Sequence, residues 1–143
     1  MKYRVRSADW NADRDAIRRV RERVFVIEQA VDPELEWDGL DPECEHAVIE
    51  TPDGKIVATG RLYCADGAGK IGRMAVLKGH RGNGMGAAIL EFLVERARAR
   101  GLSSARLNAQ THALRFYQRG GFIAEGPEFD EAGIPHRHMR REL

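Results

Sequence analysis

Apolar and polar positions change period several times along the chain, and each change marks an element. Residues 2–6 alternate and predict a first strand. From Asn11 onward Ile17, Val20 and Val24 recur at helical spacing with arginines on the other faces, which predicts a helix. Residues 31–45 hold two prolines and a glycine without strong periodicity, and they predict a long loop. A strand is expected at 46–50, then a tight turn at Pro52-Asp53-Gly54 into a second strand at 55–64. A turn at 65–70 leads into a strand over 70–78. Ile89, Leu90, Leu93, Val94 and Ala97 then form one apolar stripe of a helix that Gly101 suits as a terminator. A fifth strand is expected at 105–110, followed by a short helix over 111–120 with Thr111 as its possible cap. The tail carries a turn at Ala132-Gly133 and predicts two last strands. The sum is an α/β layer fold around a mixed sheet.

Composition narrows the class. At 143 residues, with 43% hydrophobic and 31% charged, residues 1–143 make one domain with one substantial core. The 23 basic and 22 acidic residues leave a net charge of +1, so no global field favours nucleic acid or an anionic membrane. Cys44 and Cys64 lack the spacing of a zinc site, and the first residues lack the apolar run of a signal peptide, so a cytoplasmic home is expected. No apolar stretch is long enough to predict a membrane span.

Between the strand at 70–78 and the next helix stands Arg81-Gly82-Asn83-Gly84-Met85-Gly86. Strand, glycine loop and helix together present free backbone N–H groups and the positive end of a helix dipole to phosphate. The bland alternative is a flexible turn beside an arginine. Residues 82–87 fit the dinucleotide pattern G-x-G-x-x-A literally, but the next strand offers no acidic residue for a ribose, and the Walker lysine pattern is absent.

With its surroundings the loop resembles the acetyl-CoA site of the GNAT superfamily of N-acetyltransferases. Arg81, Gly84 and Gly86 fit that superfamily's [QR]-x-x-G-x-[GA] motif. Residues 110–122 are similar to its N-x-x-A-x-x-F-Y-x-x-x-G-F element, with Gln110 in place of the asparagine. Residues 23–29, 38–41, 46–49 and 131–136 resemble the small bacterial ElaA-type branch. The resemblance implies a GNAT-like acyl-CoA N-acyltransferase fold: a mixed, mostly antiparallel sheet flanked by helices, with splayed central strands. It implies acetyl-CoA as co-substrate, with the pyrophosphate on Gly82, Asn83, Gly84, Met85 and Gly86 beside Arg81. The pantetheine arm would lie along Met74, Ala75 and Val76, with Gln110 nearby, and Tyr117 would supply a proton to the departing thiolate.

The acceptor side rests on charge. From Val24 to Gly54 no lysine or arginine occurs among ten acidic residues, while basic residues crowd just before. In the superfamily this region borders the acceptor, so a local negative field, with Asp38 and Asp41 in its middle, would draw a cationic amine of a small molecule or protein. Two residues compete as general base: Glu28, among apolar neighbours that would raise its pKa, and His46, which titrates near neutrality unaided. Arg73 is expected to bind carboxylates of the acidic segment or of substrate, and His136 to border the substrate. His136 and His138 without a third ligand are a weak metal signal, and no metal is expected. A catalytically silent acetyl-CoA sensor is the alternative to an enzyme, and the last strands would allow a homodimer.

Overall fold

The computed structural model describes residues 3–143. Its strands form one seven-stranded sheet in the order β1-β2-β3-β4-β5-β7-β6. β1 (Arg4–Ser7), β2 (Glu45–Glu50), β3 (Ile56–Ala65) and β4 (Ala68–Val76) pair antiparallel in succession. β5 (Ser104–Gln110) pairs antiparallel with β7 (Ile134–Glu142), which pairs with β6 (Ile123–Glu131). The first strand was expected from residue 2, which lies outside the described residues.

The join between the two halves shapes the molecule. β4 and β5 run parallel and pair only over Ala68–Lys70 against Ser104–Arg106. Beyond that, β5 stays on β7 as far as Gln110 and β4 stays on β3 as far as Val76, so the two half-sheets diverge into a V. A bulge accompanies the divergence: Thr59 pairs with Ala75 and Arg61 with Gly72, which leaves Arg73 and Met74 opposite Gly60. Arg73 takes φ +50, a left-handed conformation that strains a side chain of its kind.

Helices cover both faces. α3 (Met85–Ala99) buries the predicted stripe, Ile89, Leu90, Leu93, Val94 and Ala97, at 0–3% exposure. Each such side chain contributes about 1.5–3 kcal/mol relative to exposure. α1 (Trp10–Arg21) covers the other face, capped by the Asp9 carboxylate on the Asn11 N–H. It continues as a π-helical stretch, Glu22–Glu28, in which the Gln29 N–H reaches the Val24 carbonyl. The wider turn buries Val24 and Phe25 against Ala75.

Two local expectations need correction. The segment over 31–45 contains α2 (Pro33–Glu36), opened by Asp32 as cap and proline in the first turn, and a 3₁₀ turn at Asp41–Glu43. Thr111 does not cap the short helix. It opens a 3₁₀ turn, Thr111–Ala113, and α4 (Leu114–Arg119) follows without a side-chain cap. The turn at Ala132-Gly133 is as expected, with positive φ at both residues.

Candidate functional site

The V encloses a cavity of about 790 Å³. Met74, Ala75 and Val76 form one wall, Leu107, Asn108 and Gln110 the other, and Arg81, Gly82 and Gly86 one end. Leu77 donates its N–H to the Val57 carbonyl on β3. By strand alternation Ala75 also faces β3, while Met74 and Val76 turn their backbone groups into the gap where β5 has left. That gap is edged by peptide groups, so an extended amide-bearing chain can pair there.

At its end the glycine loop meets α3. Gly84 precedes the helix at φ +77, and no side chain caps α3, so its first N–H groups face outward without a side-chain partner. In the first turn, a Cβ on Gly86 would stand 3.2 Å from the Phe116 ring, a tight contact to which the ring would have to yield slightly. Arg81 lies alongside: its Nε donates to the Val76 carbonyl at 2.9 Å, and its two terminal nitrogens bind Glu28 at 2.7 and 2.9 Å. Open helix N–H groups beside a fixed guanidinium suit an oxyanion such as a phosphate. Asn83 turns its side-chain amide to the His80 carbonyl, and Met85 is buried below the loop.

Tyr117 lines the cavity from α4, its ring edge-on to Phe116 at 4.9 Å. Burial pushes its hydroxyl up to about 12, so it stays protonated at neutral pH. Gln110, at the end of β5, holds Gln29 across the opening at 2.9 Å.

Glu28 departs from expectation. It is not a desolvated carboxylate of raised pKa, because the hydrogen bonds from Arg81 lower it and its side chain is 35% exposed. A carboxylate held as an ion in this way is a poor base. His46 also departs. It is 2% exposed, stacked on Trp10 at 4.5 Å, with Nε2 2.9 Å from the Asp41 carbonyl, and it does not line the cavity. Burial lowers its pKa.

The acidic segment is not a free negative field. Arg21, 1% exposed, donates to Glu36 and to Asp41, both at 2.7 Å. Arg61 donates to Asp41 at 3.0 Å and, with both terminal nitrogens, to Asp38. Arg73 lies 3.3 Å from Glu36 and 3.4 Å from Asp38. Three carboxylates thus meet three guanidiniums. Arg61 holds Asp38 far below the usual carboxylate range. Burial opposes ionisation of Asp41, but Arg21 and Arg61 outweigh it and its pKa falls. At Glu36 burial wins and the pKa rises. The cluster ties the segment to β3 and to the strained Arg73, and so fixes one wall of the cavity. Asp38 reaches that wall and Asp41 does not.

The opposite wall carries polar groups from the last strands. His136, 6% exposed, lines the cavity, with Nδ1 2.7 Å from the Ile134 carbonyl and Nε2 3.5 Å from Glu131 Oε2. Asn108 donates to Glu131 Oε1 at 3.2 Å, and its carbonyl oxygen lies 3.2 Å from His138 Nδ1. Sequence reasoning missed Gln29, Arg61, Asn108 and Glu131. Of these only Arg61, a charge within an apolar strand, carried a visible signal. Among the described residues no group of three or more His, Cys, Asp or Glu side chains could hold a metal ion, and no helix is long and apolar enough to cross a membrane.

Comparison with known proteins agrees with this geometry. Residues 14–143 match the family described as the acetyltransferase (GNAT) domain. The chain is 44% identical over 124 residues to the Bacillus subtilis protein named uncharacterized N-acetyltransferase YjcF, covering 86% of this chain and 88% of that one. Among solved structures, an acyl-CoA N-acyltransferase from Pseudomonas aeruginosa is 31% identical at TM-score 0.86, covering 98% of this chain and 99% of that one. Escherichia coli ElaA is 28% identical at TM-score 0.87, covering 99% and 100%.

Proposed function

The chain belongs to the GNAT family of acetyltransferases and is an acyltransferase, and from that premise we propose that it moves an acetyl group from acetyl-CoA to a primary amine of a small molecule or protein, by direct attack in a ternary complex. The family uses acetyl-CoA. One observation carries the reading for this chain: β4 leaves β5 so that backbone groups of Met74 and Val76 face a gap ending at the uncapped N-terminus of α3.

When bound, acetyl-CoA supplies an acetyl carbon already activated as a thioester. The chain's own residues do the rest. The N–H groups of residues 82–86 hold the pyrophosphate, and Arg81, tied to Glu28 and to the Val76 carbonyl, fixes the edge of the loop beside it. Met74 pairs with an amide of the arm as a missing strand would, and so orients the acetyl group for attack. A backbone N–H at Val76 polarises the carbonyl oxygen as charge develops there. Tyr117 donates a hydrogen bond to the sulfur as it leaves. With its own pKa near 12 the phenol is a weaker acid than a thiol of about 8.5, so it stabilises the sulfur better than it protonates it outright. A pure sensor would need the loop and the gap but no phenol at the cavity wall.

The test is a two-substrate rate study with spermidine, lysine, ethanolamine and tyramine as acceptors. Intersecting double-reciprocal lines are expected for at least one amine. Parallel lines would indicate an acetylated enzyme and contradict direct attack. Acetyl-CoA binding with no amine-dependent thiol release would leave the sensor.

A further inference from the structure

The loss of Glu28 and His46 as candidates leaves the amine without a base, and the cavity offers one on its other wall. Resting on the acetyl-transfer reading, we propose that His136 is the general base for the acceptor amine and that Glu131 beside it receives the cationic nitrogen.

The tautomer follows from the strand. His136 Nδ1 lies 2.7 Å from the Ile134 carbonyl, a pure acceptor, so Nδ1 carries the proton and the lone pair of the neutral ring is on Nε2. Nε2 faces Glu131 Oε2 at 3.5 Å, beyond the range of a good hydrogen bond. Two acceptors therefore face each other with no donor between them. Such a pair is joined either by a proton on Nε2, which makes the ring an imidazolium, or by an outside donor, and a primary ammonium brings three N–H groups and the right charge. Both partners are held in place. Asn108 fixes the Glu131 carboxylate through Oε1, and the Phe129 ring stacks on the imidazole at 6.0 Å. His136 is nearly buried while the Glu131 side chain is 46% exposed, so the pair has an inner base and an outer collector open to water.

The titratable groups around the ring come from every neighbouring element. They are Glu131 and Glu125 on β6, His138 on β7, and His112, which binds the Gln110 amide past the end of β5. Across the cavity stand Glu36, Asp38, Arg61 and Arg73, which already neutralise one another, the Glu28–Arg81 pair, and Lys70 on β4. Glu131 is the charge in reach of the ring.

The proton balance closes. The ammonium gives one proton to His136 Nε2 and its nitrogen attacks the acetyl carbon. The new C–N bond forms, the C–S bond breaks, and the second nitrogen proton ends on sulfur. The imidazolium returns its proton to water past Glu131.

Two measurements test this. In the first, kcat against pH for the best of the four amines should show an acid limb set by an imidazole. His136→Gln should bind acetyl-CoA as wild type does, lose about a hundredfold or more in kcat and lose the limb. Glu131→Gln should raise KM for the amine more than it lowers kcat, because the ammonium loses its carboxylate partner. A His136→Gln enzyme within threefold of wild type, with the limb intact, overturns the proposal. The second needs no turnover: the His136 Cε1–H resonance is titrated in wild type and in Glu131→Gln, with methylammonium or tetramethylammonium added. Methylammonium should move the wild-type signal more than tetramethylammonium, which has no N–H, and the difference should shrink in Glu131→Gln. An equal response of the wild type to the two cations overturns the proposal even if His136→Gln fails to fold. A wild type that binds acetyl-CoA yet acetylates no amine refutes the acetyl-transfer reading and His136's role with it.

Discussion

Replacing Asp41 by asparagine separates a structural carboxylate from one that recruits substrate. Its Oδ1 accepts from Arg21 at 2.7 Å and from Arg61 at 3.0 Å, with both partners buried. Removing one member of a buried charge cluster costs about 3–5 kcal/mol, because the remaining charges keep their desolvation penalty without their partner. Asparagine keeps the shape and one acceptor oxygen, and Glu36 and Asp38 still serve the two arginines, so the low end, about 3 kcal/mol, is expected. For a domain of this size that corresponds to a fall of roughly 6–12 °C in Tm. The pH dependence has a definite sign. The folded pKa of Asp41 is depressed, so its contribution is present above the ordinary carboxylate value of about 3.9 and is lost as pH falls through the folded value. The gap between wild type and variant should therefore be full from about pH 5 upward and narrow as the pH falls below the ordinary carboxylate value. Thermal unfolding followed by circular dichroism across that range is the assay. A variant melting within 2 °C of wild type at neutral pH, with a raised KM for amine, would refute the reasoning and restore Asp41 as part of a recruiting field.

Acetyl-CoA at about a hundred times its dissociation constant should stabilise the wild type by roughly 2.7 kcal/mol in a thermal-shift measurement. Gly84→Val should abolish that shift, since φ +77 penalises a branched side chain where the helix N–H groups must stay open. Tyr117→Phe should keep the fold and the acetyl-CoA shift while kcat falls about tenfold to a hundredfold, the worth of a hydrogen bond to a developing charge; a kcat within twofold of wild type would make Tyr117 a packing residue only. Glu28→Gln should leave kcat within threefold and change KM for acetyl-CoA by less than about fivefold, because an ion pair this exposed contributes at most about 1 kcal/mol. A hundredfold loss of kcat would return Glu28 to the role of base.

The legible parts of this protein are those decided by neighbours in sequence. The stripe of α3, the turn at Ala132-Gly133 and the loop from Arg81 to Gly86 follow from period and from glycine placement, and the resemblance at residues 110–122 set Tyr117 beside them. The acceptor side depends on pairings that no local pattern carries. Arg21 meets Asp41 across 20 positions, Arg61 meets Asp38 across 23, and Arg81 meets Glu28 across 53. Acidic residues of the block meet basic residues from elsewhere in the chain, so at Glu36, Asp38 and Asp41 the field read from the block is offset by Arg21, Arg61 and Arg73. The π-helical stretch is also hidden, because its apolar residues satisfy an ordinary helical period as far as Val24. His136 was placed at the substrate side, but its partner Glu131 comes from the next strand across a tight turn, and only the pairing of β6 with β7 brings the two together.

The central claim is that the gap between β4 and β5 presents an acetyl thioester to an amine held on the opposite wall. Transfer of radiolabelled acetyl from acetyl-CoA, with free thiol and labelled amine counted in the same samples, tests it most directly. Label should appear in the amine one for one with thiol released, and neither product should form with Gly84→Val. Thiol released without labelled amine, or labelled amine formed equally well by Gly84→Val, would contradict it.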